Sequence, residues 1–258
     1  MYRKPNAPRP VGGVIDDAVR LYRGSFRRCA PIAVLGALVS AAFDLLVMQI
    51  AHREGLPLTS LEAIVRVYQE PPVMALNLLQ IVLLLALFGA LIVTQQAVAE
   101  ADTGLSVGQA IGVGFARLGR CALAALVSTL LIVLGSLLIV PGIYLSGALC
   151  LWPVAMYVED DGALQSLETS RRLIQGHWWH ATTVLAGALL IALAFSMFAG
   201  FIAGIVQLTA GADAAGSTIV QLIGAAADVF LLPMLPAAMI ALTNDLKLRR
   251  RATSATPR

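Results

Sequence analysis

Charge is what this chain has least of. Only 13% of its 258 residues are Asp, Glu, Lys or Arg, about half of what a soluble domain carries. Five long blocks are almost free of charge: 29–51, 73–99, 121–158, 179–210 and 216–243. Each exceeds the roughly 18 apolar residues that mark a membrane-span candidate. With 59% apolar residues, no aqueous core could bury so much apolar surface, so lipid must be the solvent for much of it. Alternation of apolar and polar residues is also missing. A β-barrel needs short alternating strands, and runs such as Ile81-Val-Leu-Leu-Leu-Ala-Leu-Phe88 exclude them. The expected class is therefore all-α.

Cysteine is scarce too. Cys29, Cys121 and Cys150 form no CxxC pair and lie in or beside apolar blocks, so buried free thiols are expected. No HExxH or Cys/His cluster is present, and neither a metal nor another cofactor is expected. The first apolar block runs 23 residues behind 28 mostly polar ones, which fits a retained span better than a cleaved leader.

Block 121–158 is too long for one crossing, at about 57 Å as a helix. Pro141-Gly142 near its middle predicts a tight turn. Six spans follow, at about 29–51, 73–99, 121–140, 143–158, 179–208 and 216–243. They form a membrane domain over 12–245, between a disordered tail at 1–11 and a basic disordered tail at 246–258.

Sixteen of the eighteen Lys and Arg residues fall before span one, in the second and fourth gaps, or after span six. Only Arg53 and Arg66 lie on the other side. The positive-inside rule predicts both termini in the cytoplasm, and an even crossing number agrees. The basic residues flank apolar blocks, so the expected partners are the bilayer and anionic headgroups, not nucleic acid. Arg171 and Arg172 are headgroup candidates.

Residues 17–38 align without a gap on 109–130, pairing Ala18 with Ala110 and Arg28-Cys29-Ala30 with Arg120-Cys121-Ala122. A looser third copy covers 166–189. Each unit would be a short cytoplasmic amphipathic helix leading into a hairpin of two spans, giving three parallel repeats. Ser106-Val-Gly-Gln109 and Thr59-Ser-Leu-Glu62 predict capping boxes, the second opening a short outer helix, and Asp160-Asp161 predicts a helix start.

The segment Pro141-Gly-Ile-Tyr-Leu145, Val158-Glu-Asp-Asp-Gly162, Ser166-Leu-Glu-Thr-Ser-Arg-Arg-Leu173 and Gly176-His-Trp-Trp179 resembles YciC-like bacterial inner-membrane proteins. Those are similar to the membrane-anchor domain of some glycerophosphodiester phosphodiesterases. The resemblance implies a six-helix inner-membrane fold. It brings no catalytic residues, and the soluble phosphodiesterase barrel has no counterpart in this chain.

Remaining motifs point away from catalysis. Gly104-Leu-Ser-Val-Gly108 has the GxSxG letters but lacks the preceding strand such a nucleophile needs, so Ser106 reads as a helix cap. His177 and His180 read as interface histidines. Gly211-Ala-Asp-Ala-Ala-Gly216 lacks a phosphate-loop lysine and reads as an outer turn. Ser196, Gly200 and Gly204 form a small-residue stripe expected to pack within the bundle. Two intramembrane carboxylates stand out, Asp44 in span one and Asp228 in span six. Such acids usually face the bundle interior and often mark function. These observations predict a non-enzymatic inner-membrane protein, a scaffold or envelope component, with a homo-oligomer or another protein as candidate partners. The alternative is a small-solute or proton-coupled transporter in which Asp44 and Asp228 line a polar cavity. A lipid-modifying enzyme finds no residues.

Overall fold

The computed structural model describes residues 4–53, 55, 61–102, 104–210 and 214–254. Among these the chain forms eleven helices and no strand. They are α1 (Val11–Arg53), α2 (Leu61–Gln69), α3 (Pro71–Ala99), α4 (Val107–Ala116), α5 (Leu118–Ser136) and α6 (Val140–Leu149). Then follow α7 (Trp152–Glu159), α8 (Ala163–Ile174), α9 (Trp178–Ala210), α10 (Ala214–Leu231) and α11 (Met234–Ser254). Six helical stretches are long and apolar enough to cross a membrane, with α6 and α7 forming one and α10 and α11 another. Consecutive long helices pack on each other: α1 on α3, α5 on α6, α9 on α10.

The first expected surface helix and span one are one helix of 43 residues. Its buried face runs through Val14, Ala18, Leu21, Ser25, Cys29, Ile32 and Gly36 at steps of three or four. The core-facing stripe therefore continues across the polar–apolar boundary, and Pro31 does not end the helix. In the second copy the equivalent stretch breaks at Arg117, between α4 and α5. The burial pattern nevertheless repeats at the same offset. Ala18 and Ala110, Cys29 and Cys121, and Ile32 and Ala124 are all buried.

The middle turn lies at Leu137–Ile139, before Pro141-Gly142 rather than at it. Proline is well suited to the first turn of a helix, where its missing N–H leaves nothing unpaired. Gly142 serves contact instead: it lies against Ser136, and a Cβ on Gly135 would come within 3.1 Å of the Gly142 nitrogen.

Two long stretches are interrupted, and each gap is closed by a buried side chain from another helix. Between α6 and α7, Ser170 of α8 donates to the Ala148 carbonyl at 2.9 Å and accepts from the Leu151 N–H at 3.0 Å. Between α10 and α11, Pro233 interrupts the ladder. There Gln95 donates to the Pro233 carbonyl at 2.7 Å, and the Tyr22 hydroxyl donates to the Phe230 carbonyl at 3.0 Å. A group freed at such a break is costly in an apolar interior unless it is paired; the Pro233 carbonyl also accepts from the Ala237 N–H at 3.4 Å.

The α4 capping box forms: Ser106 Oγ accepts from the Gln109 N–H at 3.2 Å, and Gln109 Oε1 accepts from the Ser106 N–H at 2.9 Å. Ser106 is thus the helix cap that its letters suggested. Thr59 and Ser60 lie outside the described residues, and α2 follows them. Asp160-Asp161 does not cap α8, whose preceding residue is Gly162 with no side-chain cap bond. Asp160 turns instead to Arg117 and Arg120, at 3.0 and 3.3 Å. The Ser196–Gly200–Gly204 stripe does not pack within the described bundle: all three are exposed, and a Cβ on either glycine would meet nothing within 4 Å.

Candidate functional site

The densest buried polar cluster lies where the two ends of the chain meet. Arg9, two residues before α1, is held at three points. Its N–H donates to Asp245 Oδ1 at 2.7 Å, its guanidinium reaches Asp17 Oδ1 at 3.0 Å, and its carbonyl accepts from Arg249. Asp245 on α11 is 2% exposed. Its other oxygen faces His180 Nε2 at 3.0 Å and Arg249 Nε at 2.7 Å. Asp17, on the first turns of α1, is also buried. Five side chains from three helices and the N-terminal segment thus share one site.

The local reasons are legible. Asp245 and Arg249 are one helical turn apart, so both face the same neighbour. His180 lies in the first turn of α9. Asp17 lies one turn below the apolar Leu21 on the buried face of α1. Buried carboxylates persist where charged donors surround them, and both carboxylates have such donors.

Further ties gather at the same end. Lys247 pairs with Glu159 at 2.9 Å, joining α11 to the end of α7. Arg28 donates to the Asp102 carbonyl at 2.9 Å, joining α1 to the segment after α3. Lys4 reaches Glu100 at 3.4 Å. The start of α1, the ends of α3, α7 and α11, and the start of α9 therefore lie at one end of the bundle. Both ends of the described chain are on that side.

Asp44 and Asp228 are brought near each other. Their helices, α1 and α10, pack together. Asp44 is exposed on the outer face of α1, and Asp228 is half-buried. A cavity of about 210 Å³ between α1, α9 and α11 is lined by Ile15, Tyr22, Val184 and Met234, with Arg23 its one charged residue. One of about 300 Å³ between α1 and α3 is apolar throughout. Neither is lined by Asp44 or Asp228.

Arg171 and Arg172 share one carboxylate. Arg171 makes two bonds to Glu168, at 2.9 and 3.0 Å, and Arg172 approaches the same group at 3.7 Å. The Arg171 hydrogen bonds hold the Glu168 carboxyl below its ordinary range. Arg20, Arg23 and Arg27 also lie exposed on α1, at spacings that put them along one face. Trp178 donates to the Tyr144 carbonyl at 3.1 Å, and Trp179 is 78% exposed. His177 and His180 do not form a pair of ligands: His180 belongs to the Asp245 cluster, and among the described residues no three His, Cys, Asp or Glu side chains could hold a metal.

Sequence reasoning missed the Asp245 cluster. Its members are separated by up to 240 positions. The one available signal was Asp245 and Arg249, one helical turn apart across the start of the 246–258 tail, which was expected to be disordered but continues α11 to Ser254.

No family model, curated protein or solved structure matches the chain. The likeness of its 141–179 segment to YciC-like proteins thus rests on those residues alone.

Proposed function

We propose that the chain is a non-enzymatic, multi-pass protein of the bacterial inner membrane that serves as a scaffold or envelope component. Both termini would face the cytoplasm, where the one-sided basic residues would meet anionic headgroups. Arg171 and Arg172 belong to that surface as a pair steadied by Glu168. The observation that carries the proposal is the Asp245 cluster. The most deeply placed charges are used to lock helix ends together, and a rigid, end-tied bundle is what a scaffold requires.

The test is complementation of a strain lacking the protein, scored by envelope permeability. Asp44→Ala/Asp228→Ala should complement as the parent does, because the scaffold does not use these acids. Asp245→Ala should lose complementation together with protein level. A double variant that accumulates normally yet fails to complement would overturn the proposal.

One observation favours the second reading, a proton-coupled transporter. The two intramembrane acids lie on helices that pack together, α1 and α10. Two carboxylates so placed in a dry site would share a proton. The exposure of Asp44 on the outer face of α1 weighs against an enclosed pathway.

A further inference from the structure

We infer that the α5–α6 hairpin does not cross the membrane: it enters and leaves on the side of the chain termini, and its tip is embedded among the acyl chains of that leaflet. The first ground is distance. Gly147 on α6 lies against the start of α9, where a Cβ would come within 2.6 Å of Trp178 Nε1 and 2.9 Å of Thr182 Oγ1. The Trp178 bond to the Tyr144 carbonyl fixes the same register. From Gly147 back to Val140 at the tip is seven residues, about 10 Å of helix. From Thr182, α9 runs on to Ala210, which is about 42 Å. The α6 arm thus extends about 10 Å beyond its seat on the first turns of α9, against about 42 Å of α9 beyond the same contact.

The second ground is the chemistry of the tip. Leu137, Leu138, Ile139 and Val140 are 70–79% exposed. In the sequence, the stretches 54–60 (Glu-Gly-Leu-Pro-Leu-Thr-Ser) and 211–217 (Gly-Ala-Asp-Ala-Ala-Gly-Ser) each carry an acid and at least one hydroxyl. The middle turn has no charged residue between Arg120 and Glu159. A large apolar tip of this kind is stable only against hydrocarbon or a partner surface.

The third ground is the backbone. Irregular chain in hydrocarbon is tolerated only when its polar groups are satisfied. The N–H groups of Leu138 and Ile139 donate to Gly135 and Ser136 at 3.1 Å each. Val140 donates to the Leu138 carbonyl at 2.6 Å, across a γ-turn at Ile139 with φ 54° and ψ −66°. Pro141 has no N–H to satisfy, and Ile143 donates to Ile139 at 3.0 Å. Ser136 Oγ folds back on the Ile132 carbonyl at 2.7 Å. A β-branched residue in this conformation is strained. A turn in water would have no need of it, whereas a turn in lipid gains a paired N–H. The occupant of this surface is thus the acyl region of one leaflet, and four crossings remain with the termini still on one side.

The experiment uses the full chain in native membranes, with single cysteines introduced at exposed positions that have no packing role. Leu138→Cys probes the tip and Val140→Cys repeats it. Arg53→Cys reports the far side and Arg20→Cys the terminal side. Intact spheroplasts and inverted vesicles are treated with a membrane-impermeant maleimide, and unreacted thiols are then counted after denaturation. Arg53→Cys should label only from one side and Arg20→Cys only from the other. The tip cysteines should be protected from both, with at least tenfold slower labelling than either control. A spin label at position 138 should be relaxed by oxygen more than by a water-soluble nickel chelate, at a depth within the terminal-side leaflet. Labelling of the tip from the Arg53 side would mean a full crossing and overturn the inference. Labelling from the Arg20 side would mean a tip in water and overturn it equally.

Discussion

Replacing Asp245 with alanine should destabilise the bundle more than any other single polar substitution. The carboxylate is 2% exposed and receives the Arg9 N–H, the Arg249 guanidinium and His180. Removing it takes the carboxylate partner from a charged guanidinium that is 24% exposed and leaves the Arg9 amide without its acceptor in a site with little water. Breaking a buried pair from one side costs about 3–5 kcal/mol, and the Arg9 and Arg249 bonds together fall in the same range, at about 1.5–3 kcal/mol each for charged partners. For a chain of this size about 1 kcal/mol moves the melting point by roughly 2–4 °C, so the expected loss is roughly 6–20 °C. The assay is built in: Cys29 and Cys121 are buried, so a thiol-reactive dye reports unfolding of the detergent-solubilised protein without labelling. Asp245→Asn keeps an acceptor and should fall between parent and alanine variant. A drop below about 2 °C for Asp245→Ala would refute the view that this cluster holds the helix ends together, since a surface pair contributes about that little.

Three further outcomes follow from the same geometry. Ser170→Ala removes the one side chain that pairs both the Ala148 carbonyl and the Leu151 N–H; it should cost about 1–3 kcal/mol, with faster hydrogen exchange at 148–152, and unchanged exchange there would contradict it. Glycine substitutions should split by location. Gly114→Ala drives a methyl into the Ala86 carbonyl of α3 and should cost about 1–3 kcal/mol, whereas Gly200→Ala meets nothing within 4 Å and should stabilise α9 by about 0.5–1 kcal/mol, both read as melting shifts. Acid should loosen α8. Glu168 is held below its ordinary range by Arg171, so its contribution is complete above the ordinary carboxylate range and disappears as the pH falls through the lowered value. Exchange protection over 163–174 should drop in acid in the parent but not in Glu168→Gln, and an equal drop in both would rule the pair out as the cause.

The class of fold was legible because it rests on composition. Charge-free blocks of twenty or more residues leave a helix few alternatives to lipid, and the six apolar stretches fall where the blocks do. Local motifs were partly legible. The Ser106 box needs only residues three apart and forms as its letters predict. Asp160-Asp161 has equally good letters, yet the aspartate is drawn to two arginines roughly forty positions away. Pro141-Gly142 likewise marks a turn in its neighbourhood without fixing its position, since proline suits the first turn of α6 as well as a loop. Periodicity shows which face of a helix is buried but not which helix will cover it. For that reason Asp245 and Asp17 could not be joined from sequence, and neither Ser170 nor Gln95 could be recognised as the group that closes a break in another helix. The intramembrane acids are the reverse case. They were conspicuous by composition, and the structure brings their helices together while leaving Asp44 exposed.

Purified protein in sealed liposomes, given a pH jump across the bilayer and read with an internal pH dye, tests the scaffold against the transporter most directly. The scaffold predicts proton entry at the rate of protein-free liposomes, identical in the parent and in Asp44→Asn/Asp228→Asn. Proton entry several-fold above that rate, abolished in the double variant, would contradict it.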